Sequence, residues 1–145
     1  MGTKPTRLAS DYWVCGQLGP DDIAEAAKDG FALIINNRPD GEIVGQPSSD
    51  QLAQAATDAG LSYVHIPLNP LKGLSEDMLD QFDAAMAPKP SKTLGFCRSG
   101  RRSVIVRACA QARAGRAASD ILDEANAAGH DISGMAGLLE ALAGQ

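Results

Sequence analysis

Thr93-Leu94-Gly95-Phe96-Cys97-Arg98-Ser99-Gly100-Arg101-Arg102-Ser103 carries the chain from an apolar segment into a polar, arginine-rich turn. Thr93 to Phe96 has the short, continuous apolar character of a buried strand. Val104-Ile105-Val106-Arg107-Ala108-Cys109-Ala110 reads as the helix that follows, starting at about Ser103. A cysteine between strand and helix sits where backbone N–H groups and the helix dipole converge on an anion. A field of that sign favours a thiolate, the nucleophilic form of cysteine. One short loop therefore offers a nucleophile and a seat for the oxyanion it would attack.

Upstream, strand and helix signals alternate. Tyr12-Trp13-Val14-Cys15 reads as a short strand, and Gly19-Pro20-Asp21-Asp22 opens a helix with Pro in the first turn. Gly30 ends that helix, and Phe31-Ala32-Leu33-Ile34-Ile35 is an apolar run suited to a strand covered on both faces. Ser48 or Ser49 caps a second helix that runs to Ala59. Leu61 to Ile66 is a third strand, stopped by Pro67, and Ser75 caps a third helix to about Met86. Such alternation predicts an α/β fold with a mostly parallel sheet of about four strands flanked by helices. From Ser119 the chain is alanine-rich and reads as two further helices broken at Gly129-His130-Asp131. A single domain over 1–145 is expected, with a core at about 8–115 and a helical tail at 116–145. In such sheets ligands bind at the carboxyl ends of the strands. Four loops should meet there: Cys15-Gly16-Gln17, Asn36-Asn37-Arg38, Pro67-Leu68-Asn69 and the Cys97 loop.

The bulk properties narrow the function. At 145 residues, a single domain buries about 68–70% of its unfolded surface. The N-terminal stretch Met1-Gly2-Thr3-Lys4-Pro5-Thr6-Arg7 has no apolar export signal, and three cysteines without paired spacing suit a reducing compartment. A cytoplasmic protein with no membrane segment is the expectation. Net charge is −5, yet eight of the thirteen Lys and Arg fall between Asp83 and Asp120, where there is no Asp or Glu. They are Lys89, Lys92, Arg98, Arg101, Arg102, Arg107, Arg113 and Arg116. A basic field centred on Cys97 would draw in a small anion; a solvated helix face is the plainer account of Arg113 and Arg116. An acidic whole with 4% aromatics excludes a nucleic-acid partner.

Cys97 is the candidate nucleophile, whereas Cys109 suits a buried helix face and Cys15 a structural strand end. Arg102 is the candidate clamp, because a guanidinium fork grips two oxygens at once. Arg98 and Arg101 face solvent and add field. Gly100 completes the turn. Ser99 and Ser103 can donate hydroxyls to the thiolate, though Ser103 also suits a helix-start cap. Asn36, Asn37 and Arg38 stand at a strand end and could line the rim, while Arg38-Pro39-Asp40-Gly41 is a turn signature in its own right. His65 is expected to be a hydrogen-bonded core histidine and His130 a loop residue. Two histidines without clustered ligands give no metal site, and no cofactor is expected.

Cys97 to Ser103 resembles the loops of two cysteine-enzyme families. Protein tyrosine and dual-specificity phosphatases place five residues between Cys and Arg; here four separate Cys97 from Arg102. Rhodanese-type sulfurtransferases have a loop of about this length. The wider pattern of Gly16-Gln17-Leu18, Ile35-Asn36-Asn37-Arg38-Pro39-Asp40-Gly41, Gly45-Gln46-Pro47 and His65-Ile66-Pro67 resembles the beta-lactamase hydrolase-like, phosphatase-like domain family over roughly the first 110 residues. The resemblance implies a protein-tyrosine-phosphatase-like fold and a cysteine-dependent hydrolase. It also implies a sulfur role, since relatives occur fused to persulfide-oxidising domains.

Phosphoryl transfer of this kind uses an Asp general acid, usually on the loop after the third strand. Here that loop, Pro67-Leu68-Asn69-Pro70-Leu71-Lys72-Gly73, has no carboxylate; Asp77 and Asp40 are substitutes that spacing does not place. Sulfur transfer needs no such acid, because the thiolate takes a sulfane sulfur and carries it as a persulfide. Three readings therefore stand. Cys97 attacks a phosphoryl group held by residues 97–103, or it carries sulfur as in a sulfurtransferase, or the loop is a non-catalytic anion-binding or redox-sensing module. The partner is a small anion, a phosphate ester or a sulfane-sulfur donor. The sulfur reading adds a persulfide-handling protein.

Overall fold

A computed structural model describes residues 4–88 and 92–144 of the chain. Lys89 and the leading residues 1–3 of the N-terminal stretch lie outside them. Five strands form one sheet: β1 (Thr6–Ala9), β2 (Tyr12–Cys15), β3 (Leu33–Asn36), β4 (Ser62–His65) and β5 (Thr93–Phe96). Their order is β1-β2-β5-β3-β4. The pairs β2–β5, β5–β3 and β3–β4 are parallel, and β1 joins β2 antiparallel.

The sheet thus has one strand more than the four expected. Thr6-Arg7-Leu8-Ala9 gave no apolar run because only Leu8 in it is buried. Pairing with β2 in an antiparallel edge places this strand, and an edge strand needs only one covered face.

Side-chain alternation sends neighbours to opposite faces. Leu33 and Ile35 join a core beneath α3 (Glu76–Met86), α4 (Arg101–Arg113), α5 (Ala118–Ala127) and α6 (Ala136–Ala143). Ile34, Leu94 and Phe96 pack instead with Ile23 of α1 (Pro20–Lys28) and Leu52 of α2 (Ser49–Asp58). Every residue of the central strands β3 and β5 is buried, as two covered faces require. The tail belongs to the first of these cores through Ile121, Ile132, Leu139 and Leu142. It breaks where expected, with a short 3-10 turn at Ser133–Met135 before α6.

Local chemistry fixes the helix starts. Ser48 caps α2 by accepting from the Gln51 N–H at 3.2 Å, and the Gln51 side chain accepts from the Ser48 N–H at 2.9 Å. Ser75 caps α3 by accepting from the Met78 N–H. α4 begins at Arg101, two residues before the expected start, because Gly100 caps it with φ of 95°. Ser103 is therefore inside the helix and is not its cap.

Candidate active site

The parallel strands β2, β5, β3 and β4 present their carboxyl ends along one edge. The four loops named above meet there. Gln17 N–H donates to the Arg98 carbonyl, Asn37 N–H to the Phe96 carbonyl at 2.8 Å, and Leu68 N–H to the Asn37 carbonyl at 3.0 Å.

Cys97 lies at the floor of this edge, 1% exposed. The Gly100 N–H donates to its Sγ at 3.1 Å, so the loop folds back over the sulfur. That turn needs glycine twice over. Its φ lies in the left-handed region, and a Cβ there would stand 3.3 Å from the Cys15 carbonyl oxygen. The first N–H groups of α4 have no carbonyl within the helix to donate to, which suits the helix start to an anion, and that of Arg101 reaches Ser99 Oγ at 3.4 Å.

Arg102 lies in the first turn of α4 and grips Glu42 with both teeth of its fork. Nη1 donates to Glu42 Oε2 at 2.8 Å, Nη2 donates to Oε1 at 2.9 Å, and Nη1 also reaches the Leu68 carbonyl at 3.3 Å. Its hydrogen bond to Glu42, with the sulfur adding to it, makes Arg102 hold its proton more firmly than a free guanidinium.

Arg38 approaches Glu42 from the other side. It is 2% exposed, and its Nε donates to Glu42 Oε1 at 2.7 Å while Nη1 donates to Gln17 Oε1 at 2.9 Å. Arg38 Nη2 is buried without a partner among the described residues. Hydrogen bonds from Arg102 and Arg38 pull the Glu42 carboxyl down to about 2 against an opposing desolvation effect. Glu42 is thus fixed as a carboxylate.

Sequence reasoning passed over Glu42 because Arg38-Pro39-Asp40-Gly41 already explained the turn. The turn itself, doubling back four residues from Arg38, is the signal that would have found it. The two substitutes considered for a general acid are occupied elsewhere: Asp40 accepts from the Ser49 N–H at 2.8 Å and Asp77 from the Gln81 amide at 2.7 Å.

The other candidates divide clearly. Ser103 is fully buried, and its hydroxyl has no partner among the described residues. Arg98 and Ser99 are exposed on the loop. Arg101 is exposed as expected and donates to the Asp131 carbonyl of the tail at 2.9 Å. Asn36 and Asn37 are buried and bonded to the scaffold, with Asn37 Oδ1 lacking a partner among the described residues. The Asn36 amide donates to Tyr63 OH and its Oδ1 accepts from the Arg38 N–H, while the Asn37 amide donates to the Ile66 carbonyl. His65 Nε2 donates to the Arg38 carbonyl at 2.7 Å, a structural bond of the kind expected.

The basic stretch is less free than its composition suggests. Arg107 and Arg116 both pair with Glu124, and Arg113 pairs with Asp80 and Asp83. Lys92 sits over the Trp13 and Phe31 rings. The open positive charge at the loop comes from Arg98 and Arg101, with Arg102 behind Glu42.

Known proteins share the family and the fold. Residues 6–114 match the family described as beta-lactamase hydrolase-like protein, phosphatase-like domain. A beta-lactamase hydrolase-like protein of Xylella fastidiosa is 34% identical over 117 residues, which cover 81% of this chain and 26% of that relative. The chain thus spans about a quarter of the length of that relative. A crystal structure of a candidate phosphatase from Neisseria meningitidis superposes with a TM-score of 0.78 at 26% identity, covering 94% of this chain and 96% of the other. PTPMT1 in complex with PI(5)P has the same fold, with a TM-score of 0.74 at 11% identity and 97% and 94% coverage.

Proposed function

We propose, for a chain that belongs to the phosphatase-like domain family of beta-lactamase hydrolase-like proteins, a cysteine-dependent phosphomonoester hydrolysis at the 97–103 loop. The observation that carries this reading is a buried thiol at the N-terminus of α4, with the Gly100 N 3.1 Å from its sulfur and Arg102 in the first turn of the same helix. A phosphoryl group in the loop faces helix N–H groups and one guanidinium fork, the donors that stabilise its equatorial oxygens.

Cys97 Sγ attacks phosphorus in line with the ester oxygen. The S–P bond forms as the P–O bond breaks, and the leaving oxygen departs with the electron pair and takes a proton from solvent. Water then cleaves the S–P bond, releasing inorganic phosphate and the thiolate. The Ser103 hydroxyl, unspent in the helix, is the donor that stabilises the thiolate as it is expelled. Arg98, Ser99 and Arg101 add the field and the rim. Asn36 holds the Arg38 backbone through its Oδ1, and Asn37 ties the strand end to Ile66 and Phe96. Glu42 cannot supply the leaving-group proton while two arginines keep it ionised.

The substrate is a small anion; PTPMT1, which shares the fold, holds a phosphate ester on a larger group, a phosphoinositide. No comparison favours the sulfur reading or a persulfide-handling partner. Intact-mass spectrometry after incubation with an aryl phosphate, and separately with thiosulfate and a persulfide donor, tests the assignment. Phosphate release that disappears in Cys97→Ser, with no sulfur adduct, is the expected result. A single added sulfur on Cys97, without phosphate release, would replace this reading with sulfur transfer.

A further inference from the structure

An apolar cavity of about 290 Å³ opens beside the anion loop. Leu68 and Leu74 form one wall from the loop between β4 and α3. Arg102 and Ile105, one turn apart on α4, form the floor, and Met135 and Leu138 close the far side. Arg102 is therefore shared: its guanidinium serves the Cys97 loop while its stem borders the cavity. Met135 and Leu138 lie beyond residue 114, where the family match ends. The wall is supplied by this chain's own tail, held to the loop by the Arg101 bond to the Asp131 carbonyl.

The geometry points to an organic-group subsite: the substrate is a phosphomonoester whose organic half is compact and apolar and lies in this cavity while its phosphoryl group sits in the Cys97 loop. This rests on the phosphatase reading above and names its substrate class. Charge complementarity supplies one end and apolar walls the other. The volume is about twice that of a roughly 150 Å³ apolar cavity that holds benzene, so a bicyclic ring has room. A sugar or inositol ring would set most of its hydroxyls against Leu, Ile and Met, with Asn69 the one neutral polar side chain in the lining. The tail's Met135 and Leu138 thus favour an apolar ring over a polyhydroxylated one.

Titration calorimetry of the full chain with methylphosphonate and with (1-naphthyl)methylphosphonate tests this, because the two share a head group and neither is hydrolysed. The naphthyl compound should bind at least about tenfold more tightly, the gain expected from burying one ring system. In Leu138→Gln that ratio should fall towards one; Leu138 is 42% exposed, so the variant should fold, which circular dichroism checks. A ratio near one in the unsubstituted chain overturns the subsite while leaving the anion seat intact. A ratio that survives both Leu138→Gln and Met135→Gln overturns it as well. Failure of both phosphonates to bind overturns the anion seat, and the subsite with it.

Discussion

Glu42 and Arg102 meet edge to edge, with Nη1–Oε2 at 2.8 Å and Nη2–Oε1 at 2.9 Å. A guanidinium grips a phosphate in the same two-toothed way. Glu42 therefore stands where two oxygens of an incoming anion would stand. Ile43 and Val44, the residues after it, are exposed, so little packing holds the turn down.

Glu42→Gln should accordingly tighten inorganic phosphate binding by about three- to tenfold, since the fork no longer has to release a charged competitor. Titration calorimetry at neutral pH reads this directly. Weaker binding in the variant would mean that Glu42 holds Arg102 in its working pose.

The same pair should leave a mark on acid stability. The Glu42 carboxyl is lowered from 4.5 to about 2 by its arginines. Its contribution is complete above the unfolded value and is lost as pH falls from about 4.5 towards 2. Melting temperatures of the natural sequence and of Glu42→Gln should converge across that window. Parallel curves would show that the pair adds nothing to folding.

Burial pushes the Cys15 thiol up to about 12, with Asp22 adding to the effect, and pushes Cys109 up to about 11. Neither forms thiolate near neutral pH. Iodoacetate at pH 7.5 should therefore modify Cys97 alone in the folded chain, and phosphate should slow that reaction. Peptide mapping by mass spectrometry checks both points, and labelling of Cys15 or Cys109 at a comparable rate would contradict them.

Gly95 lies beneath the loop, where an added Cβ would strike the Tyr12 hydroxyl and stand 3.2 Å from Ser103 Cβ. That hydroxyl is buried with no partner among the described residues. Gly95→Ala should cost about 1–3 kcal/mol as an overpacked core site. Tyr12→Phe alone should be close to neutral, because it removes an unsatisfied group. Combined, Tyr12→Phe should recover part of the Gly95→Ala loss in urea titrations; strictly additive effects would rule out the clash.

Arg107 is buried against Tyr12 and pairs with Glu124, which Arg116 shares. Arg107→Ala leaves part of that network uncompensated and should cost about 3 kcal/mol in denaturant midpoint analysis. A cost below about 0.5 kcal/mol would class the pair with surface bridges.

Much of the scaffold was legible because its signals are local. Ser48 and Ser75 cap helices through bonds three residues long, and Leu33, Ile34 and Ile35 announce a strand covered on both sides. Legibility ended where a residue's environment is set by a distant partner. β1 pairs with β2 on so little apolar character, Leu8 alone being buried, that no pattern exposed it. Ser103 has the identity of a cap, yet Gly100 takes that role because its left-handed backbone starts the helix earlier. The arginines at 107, 113 and 116 looked like free charge; Asp80, Asp83 and Glu124 neutralise them from other helices. Glu42 was hidden by its neighbours, since a good turn signature left nothing unexplained.

The strand order carries a consequence for how the site comes into being. β5 is the last strand in the chain yet lies between β2 and β3, so that Tyr12 pairs with Thr93 and Leu33 pairs with the same residue from the other side. Before β5 arrives, the β1–β2 ribbon and the β3–β4 pair share no edge. Closure across so long a stretch of sequence is slow and arrives late. The anion loop is the next segment after that closing strand, so a chain interrupted before Phe96 has neither a joined sheet nor a seat for phosphate. Anion binding is in this sense a report that the chain has been made and folded at least through the start of α4.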